Sequence, residues 1–204
     1  MPAGHASDFT APDEPRTGGT PEATDRIVLD EDGELVGASV EGARHAGGDF
    51  ARARLVDVEL VRCDLAGCDF SEAAFRRVRL VDCRAVGIEL GLAAWRHVTV
   101  VDCRLDDANF RQARLESVTI EGSNAVGADF GGARLERVRF PGSDLGRADF
   151  TQATCAAVDL RDARLDGLRG AGSLRGSTIG VDQLFGLAPG LAAAIGIRVV
   201  GDDD

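Results

Sequence analysis

A hydrophobic residue recurs at every fifth position over most of this chain. In residues 128–150 these positions are Phe130, Leu135, Phe140, Leu145 and Phe150, and a small or β-branched residue lies two positions before each. An α-helix repeats every 3.6 residues and a strand every two, so neither explains a period of five. The pattern starts near Leu35 and keeps its register through about 130 positions.

A second period of 20 residues lies beneath the first. One column of identical residues consists of Val58, Val78, Val98, Val118 and Val138. Another consists of Phe50, Phe70, Phe110, Phe130 and Phe150. Four pentapeptides therefore form one coil of a solenoid with a square cross-section, and coils stack at the strand spacing of ~4.8 Å. We expect both columns to point inward and form the core of about seven coils, a number estimated from the 20-residue unit.

The motif A-[DN]-[LF]-x-x carries a family resemblance. The stretch GADFGGARLERVRF, residues 127–140, matches it almost fully, and the chain resembles pentapeptide-repeat proteins from about residue 35 to residue 180. The resemblance implies an all-β solenoid, a right-handed quadrilateral β-helix, with a short helical C-terminal cap. We place this β-helix at residues 27–180.

The two ends depart from the pattern. Residues 1–26 are rich in Pro, Gly, Thr and acidic residues, which predicts a disordered acidic tail. After Leu165 the period breaks. Gly170 takes the next central position, and the spacing resumes one residue early at Leu174, Ile179 and Leu184.

Residues 181–204 read as a helical cap followed by a short strand. Asp182 is expected to cap a first short helix, Pro189 to open a second, and Gly196 to end it before the strand IRVV. A solenoid needs such a cap over its open end. The segment also resembles the cap that holds a head-to-head dimer in the quinolone-resistance members of the family. The candidate cap and dimer residues are Leu184, Phe185, Leu187, Leu191, Ile195 and Ile197.

The net charge of −11 is concentrated in the tails. Residues 1–34 carry nine acidic residues and two arginines, whereas residues 35–169 carry 21 acidic residues and 19 arginines. Acidic tails disfavour direct binding to nucleic acid or to a membrane surface. The absence of a basic segment followed by an apolar one at the N-terminus, together with an odd number of cysteines, favours the cytoplasm.

No residue pattern points to catalysis or to a cofactor. The five cysteines form no CxxC motif, and no histidine is spaced to complete a zinc site with them. Cys63, Cys83 and Cys103 fall one coil apart at inward positions, which is typical of small core residues. His45 falls on an inward position near the first coil, where an irregular coil explains it better than chemistry. We expect a protein that is not an enzyme.

A stripe of acidic side chains is the remaining candidate for function. The residues just before the Phe column are Asp49, Asp69, Glu89, Asn109, Asp129 and Asp149, and Glu72 lies beside them. The repeat itself favours Asp or Asn at this position, because the side chain can bind backbone groups at the corner. A regular acidic line can also imitate the phosphates of duplex DNA.

Two functions follow for such a rod. The resemblance to fluoroquinolone-resistance members implies a DNA mimic that binds a type II topoisomerase, DNA gyrase, as a homodimer, and protects it from or modulates quinolone-like poisons. The alternative is a scaffold or regulatory module for another protein partner, which docks on the patterned acidic and basic sides. The arginine-rich side next to the acidic stripe favours this second function.

Overall fold

The computed structural model describes residues 11–16 and 25–199, and a parallel β-solenoid of about seven four-sided coils dominates this part of the chain. The elements are β1 (Glu34–Val36), β2 (Ser39–Glu41), β3 (Arg54–Val61), β4 (Ala74–Val81), β5 (Ala94–Val101), β6 (Arg114–Glu121), β7 (Arg134–Arg139), β8 (Thr154–Asp159), a 3-10 turn (Ala171–Ser173), β9 (Ser177–Thr178) and α1 (Val181–Ala194). No helix in the described residues is long and apolar enough to cross a membrane.

The coils stack in one register. Successive strands from β3 to β8 pair in parallel with an offset of 20 residues, as in Leu55 beside Phe75 and Phe75 beside Trp95. Single bridges on the other sides keep the same offset, as in Asp64 beside Arg84. The period of 20 residues in the sequence is therefore one turn of the solenoid, as predicted.

A left-handed backbone conformation makes each corner. Every fifth residue from Gly37 to Gly167 has a positive φ, and most of these residues are not glycine. An L-residue in this conformation costs roughly 1–2 kcal/mol. The coil repeats this strain because each corner lets the backbone pair with the coils above and below. Leu92, with φ of 60°, is an exposed apolar residue at such a corner.

The predicted core columns are both buried. The five valines of the column are at most 1% exposed, and the five phenylalanines at most 8%. Three ring pairs of the Phe column stack face to face, with centroid distances of 4.8–4.9 Å. Leu90 interrupts this column. The aromatic contacts pass instead through Phe75 and Trp95 on the neighbouring side before they return to the column.

His45 closes the N-terminal end of the rod. Its Nε2 accepts a hydrogen bond from the backbone N–H of Ile27 at 2.8 Å, and its ring lies edge-on to Phe50 at 5.3 Å. Burial, assisted by the charge of Arg26, lowers the pKa of His45, which keeps the ring neutral and able to accept. The inward position of His45 is therefore structural, because its ring binds the chain that enters the first coil and packs on the core.

The last coil is one residue short, as the sequence spacing predicts. β8 pairs with β9 at an offset of 19, with Val158 beside Ser177. The shortening occurs at the 3-10 turn, which begins after Gly170. A Cβ at Gly170 would lie 2.3 Å from the backbone nitrogen of Thr151, so this position requires glycine.

The cap is one helix, and the prediction of two short helices is wrong. α1 continues through Pro189, and Gly180 rather than Asp182 is its N-cap. Leu187 is 3% exposed and Leu191 packs against the core, so contacts on both sides of Pro189 hold the helix together despite the lost hydrogen bond.

A glycine turn ends the helix where the sequence predicts it. Gly196 has φ of 81°, its N–H binds the carbonyl of Ala193 at 3.0 Å, and the N–H of Ile197 binds that of Ala192 at 2.8 Å. The predicted strand at 197–200 differs from the structure, because residues 197–199 form no strand and residue 200 lies outside the described residues.

Gln183 fastens the helix to the open coil. Its side-chain nitrogen donates to the carbonyls of Leu160 and Ala163 at 2.7 and 2.6 Å, and its side-chain oxygen accepts the N–H of Gly180 at 2.6 Å. The last coil has no further strand above it to bind these carbonyls. One glutamine therefore satisfies polar groups that would otherwise be left unpaired.

Part of the predicted disordered tail lies on the rod. Residues 1–10 and 17–24 fall outside the described residues, but residues 11–16 contact the surface of the coils. The N–H of Asp13 donates to His97 Nδ1 at 3.2 Å, and the N–H of Arg16 donates to Asp57 Oδ1 at 2.9 Å. The composition favours disorder, but specific polar contacts order this short stretch.

We predict that Phe110→Asp destabilises the coil by about 4 kcal/mol or more, because Phe110 is fully buried between Trp95 and Phe130 and a charge there has no partner. Phe110→Leu is the control, since Leu90 occupies the equivalent position one coil earlier. It should cost only about 1–1.5 kcal/mol. Chemical denaturation measures both. Wild-type stability of Phe110→Asp would show that the register is wrong.

We also predict that Leu92→Asn raises the free energy of unfolding by about 0.5–1 kcal/mol. Leu92 is exposed at a left-handed corner, and asparagine tolerates that conformation better than leucine does. Leu92→Val should have the opposite effect, because a β-branched side chain fits this conformation poorly. Thermal unfolding that ranks valine above asparagine would contradict the corner strain described here.

Candidate protein-interaction surfaces

The residues before the Phe column form one line along the rod. We name this line the acidic stripe: Asp49, Asp69, Glu89, Asn109, Asp129 and Asp149. Each member bridges to the next one coil away, so the side chains follow each other at the coil spacing of ~4.8 Å. The structure thus places these sequence-predicted residues on one side of the rod.

Most carboxylates of the stripe also hold a corner. Oδ1 of Asp69 accepts the N–H of Ser71 at 2.8 Å, and Oδ1 of Asp129 accepts that of Gly131 at 2.7 Å. Asp49, Asn109 and Asp149 make the same bond. Glu89 differs, because its carboxylate accepts a hydrogen bond from the side chain of Asn109 at 2.6 Å. The stripe therefore has a structural role, whatever else it binds.

The two ends of the stripe differ in charge. Arg111 and Arg169 lie 3.0 and 3.2 Å from the outer oxygens of Asp129 and Asp149. Among the described residues, no ion pair joins Asp49 or Asp69 to an arginine. The N-terminal half of the stripe therefore presents more free negative charge than the C-terminal half. Glu72, beside it, pairs with Arg52 at 3.2 Å in an exposed contact.

Two carboxylates of the stripe, those of Asp69 and Asp149, have lowered pKa values that favour the ionised form. Hydrogen bonds from Ser71 lower the pKa of Asp69. Burial opposes ionisation of Asp149, but hydrogen bonds from Thr151 and the charges of Arg169 and Arg111 outweigh it and lower its pKa as well. Both side chains are therefore charged at neutral pH.

The neighbouring side of the rod is rich in arginine, and several of these arginines are paired with acidic residues. Arg96 lies 2.7 Å from Glu116, and Arg137 contacts both Glu116 and Glu136. Most of these pairs are exposed, so each adds little to stability. They do reduce the net positive charge on this side.

One ion pair differs from the others because it is buried. Arg77 donates two hydrogen bonds to Asp57, at 2.6 and 2.5 Å, and both side chains are at most 13% exposed. The guanidinium of Arg77, assisted by the N–H of Arg16, lowers the pKa of Asp57 to about 2. The N-terminal segment lies against this pair, because the N–H of Arg16 donates to Asp57 and the charge of Asp13 acts on Arg77.

The predicted cap residues divide into two groups. Leu187 is buried and Leu191 packs against the core, so both close the rod end. The remaining candidates, Leu184, Phe185, Ile195 and Ile197, are 46–81% exposed. Leu184, although on the resumed spacing, therefore lies outside the core. With Val181, Leu184 and Phe185 form an exposed apolar surface on α1 that we call the cap patch.

The cysteines lie in the core and are free. The N–H of Cys63 donates to the sulfur of Cys83 at 3.4 Å, and the N–H of Cys83 donates to that of Cys103 at 3.3 Å. Burial raises the pKa of the Cys68 and Cys155 thiols, which makes them poor nucleophiles. In the described residues no cluster of three or more His, Cys, Asp or Glu could hold a metal ion.

Solved structures of similar proteins share the repeat but superpose loosely. Full-length QnrB1, a plasmid-mediated fluoroquinolone resistance protein, is 21% identical, covers 86% of this chain and 95% of its own, and has a TM-score of 0.42. A thylakoid-lumen protein from Arabidopsis thaliana is 26% identical over 45% of this chain and 68% of its own, with a TM-score of 0.38. HetL from Nostoc, a pentapeptide-repeat protein involved in heterocyst differentiation regulation, is 17% identical over 68% of this chain and 86% of its own, with a TM-score of 0.27.

The family itself is recognised from the repeat. No curated protein matches this chain. A model of pentapeptide repeats matches residues 34–71, and a model of the pentapeptide repeat region matches residues 93–169. Together the two matches cover more than half of the chain, and they coincide with the coils described above. The chain belongs to the pentapeptide-repeat family.

Proposed function

We propose that this protein is a non-catalytic binding rod in the cytoplasm that uses its acidic stripe to imitate DNA and to occupy the DNA-binding groove of a type II topoisomerase, DNA gyrase. The observation that carries the proposal is the alignment of five carboxylates over six successive coils in an unchanged register, interrupted once by Asn109. In this role the protein protects gyrase from quinolone-like poisons or modulates their action.

The spacing of the stripe supports DNA mimicry. Phosphates follow each other at ~3.4 Å along one DNA strand, and the stripe repeats at ~4.8 Å. A basic groove built for duplex DNA would therefore meet a line of similar, somewhat lower charge density. Such complementarity guides association and selects the partner.

The cap patch supports a homodimer. Phe185 and Val181 are each 81% exposed on the outer side of α1, an unusual position for large apolar residues. Pairing of two cap patches would bury them and join two rods end to end. The acidic stripe would then extend over twice the length of one rod. A groove that binds duplex DNA needs a longer charged line than one short rod supplies.

A scaffold for a different protein is the second candidate, and the pairing of Asp129 and Asp149 with arginines favours it. These pairs weaken the C-terminal half of the stripe as a DNA mimic. They leave a rod with alternating charged surfaces, which suits docking to a partner with matching patches.

We predict that micromolar protein inhibits gyrase supercoiling or rescues gyrase from a fluoroquinolone, and that neutralising the stripe weakens this effect at least tenfold. The stripe variant carries Asp→Asn at positions 49, 69, 129 and 149. Asparagine keeps the side-chain oxygen that binds the corner N–H, so charge changes while the coil is preserved. A supercoiling assay measures the effect.

The matched control removes four carboxylates elsewhere on the rod: Asp64, Asp82, Asp144 and Asp162, each changed to Asn. Its net charge equals that of the stripe variant. Full activity of the control together with loss in the stripe variant supports the proposal. Equal activity of both variants would show that the effect on gyrase does not depend on the acidic stripe. If the wild type has no effect on gyrase, the scaffold function is favoured.

We predict that the protein is a dimer and that Phe185→Asp converts it to a monomer without loss of thermal stability, because Phe185 is 81% exposed. Ala193→Asp, also exposed but about two turns along α1 and about 80° around its axis from Phe185, should leave the dimer intact. Sedimentation equilibrium gives the mass of each variant. A wild-type monomer, or an equal response of both variants, would contradict pairing through the cap patch.

A further inference from the structure

Residues 11–16 follow a defined path over the rod. The N–H of Asp13 meets His97, Glu14 reaches within 3.9 Å of Arg79, and the N–H of Arg16 meets Asp57. These partners lie on three successive coils, in descending order. The segment therefore runs across the strands, parallel to the rod axis and opposite to the direction in which the coils advance.

The length of the segment fits this path. Asp13 and Arg16 are three residues apart, and their partners His97 and Asp57 are two coils apart. Two coil spacings of ~4.8 Å give about 10 Å, and three extended residues span about the same length. Pro12 and Pro15 favour an extended backbone for themselves and for the residues that precede them. The two prolines thus favour the extended conformation that the segment adopts on the rod.

The contacts along the path are polar and include one pair of opposite charges. Glu14 faces Arg79 at 3.9 Å, whereas the backbone N–H groups of Asp13 and Arg16 donate to His97 Nδ1 and to Asp57 Oδ1. The surface beneath consists of the corner residues Asp57, Arg77 and His97 together with Arg79. We call it the corner track.

Burial of Arg77 gives independent support. Arg77 and Arg137 occupy the same corner of different coils, yet the side chain of Arg77 is 10% exposed and that of Arg137 is 32% exposed. Both have carboxylate partners on the rod, so pairing alone does not explain the difference. Asp13 lies close enough for its charge to act on Arg77 and raise the pKa of the guanidinium, after the larger effect of the hydrogen bonds to Asp57.

We propose that the corner track is a recognition surface for an extended, acidic, proline-containing peptide segment, and that residues 11–16 occupy it within the free chain. A partner that presents a segment of this chemistry binds the track by displacing residues 11–16. Because the resident segment is tethered, it competes at high effective concentration and sets a threshold for such a partner. The proposal is independent of the acidic stripe and of gyrase.

The first test asks whether the segment is docked in the full chain. Heteronuclear NOE values for the amides of Asp13, Glu14 and Arg16 should match those of the coils in the wild type and fall to flexible values in Glu14→Arg and in Arg79→Glu. The double charge swap, Glu14→Arg with Arg79→Glu, should restore order at least in part. Glu31→Arg, an exposed acidic residue away from the track, is the control. Flexible values in the wild type, or no rescue by the swap, would overturn the docked segment.

The second test asks whether the track recognises a peptide from outside. A synthetic peptide of residues 9–18 is titrated to millimolar concentration into the wild type and into Asp13→Arg/Glu14→Arg, in which the resident segment is repelled. We expect shifts of the Asp57, Arg79 and His97 amides at peptide concentrations at least tenfold lower in the variant than in the wild type. The matched variant Glu31→Arg/Asp32→Arg has the same net charge and should behave as the wild type. Equal binding by both variants, no binding by either, or binding of a short DNA duplex in preference to the peptide would overturn the proposal.

Discussion

The whole rod depends on a corner that the backbone must repeat every five residues. At each corner a residue adopts a positive φ, and the next side then lies flush on the coil below with its amides in hydrogen-bonding position. The strain at a single corner is unfavourable for an L-residue. It persists because each corner is held between two others, so the free energy of pairing is shared along the stack. Glycine at Gly67 or Gly127 relieves the strain locally, and leucine at Leu92 does not.

This register has an electrostatic consequence, because it places residues of the same type directly above each other. Asp49 lies beside Asp69, and Arg84 beside Arg104, an arrangement that is repulsive on a sheet. The chain reduces the repulsion in two ways. Carboxylates turn one oxygen to the N–H of their own corner, and arginines reach one coil away to an acid, as Arg84 does to Asp64 and Arg164 to Asp144. On the acidic stripe this compensation is incomplete, because arginines pair with Asp129 and Asp149 but, among the described residues, not with Asp49 or Asp69.

The sequence predicts the rod well because the fold is local and repetitive. A fixed spacing of the Phe and Val columns leaves one register in which all of them are buried, and the short last coil is visible as a one-residue shift before Leu174. The repeat also predicts the corner function of Asp69 and Asp129, because an Asp or Asn at this position commonly binds backbone groups of the corner. The sequence does not predict the positive φ values of the corners, since the corner residues range from Gly to Arg and share no side-chain type.

Features without a repeat were harder to predict. Pro189 normally opens or breaks a helix, but the sequence does not show that Leu187 and Leu191 anchor α1 on both sides of it. Gln183 carried no signal, because its role depends on two carbonyls, 20 and 23 residues away, that the end of the stack leaves free. Both features occur where the repeat stops. Contacts at this end have no counterpart in the repeating unit, so the repeat does not predict them.

The docked segment changes the meaning of the acidic tail. Residues 1–34 hold most of the net negative charge, and composition alone suggests a solvated, featureless extension. Yet Asp13 and Glu14 lie on histidine and arginine, and Arg16 lies on the buried Asp57. Tail and rod are therefore complementary at the level of single residues, in an order fixed by the coil spacing.

Nonspecific attraction would be satisfied by any arginine on the exposed side, whereas this segment contacts the most deeply buried ion pair of the described surface, Arg77 with Asp57. Desolvating that pair costs free energy, which the bidentate geometry and the added N–H of Arg16 offset. A surface that is organised in this way is better suited to recognising one extended sequence than to binding acidic segments nonspecifically.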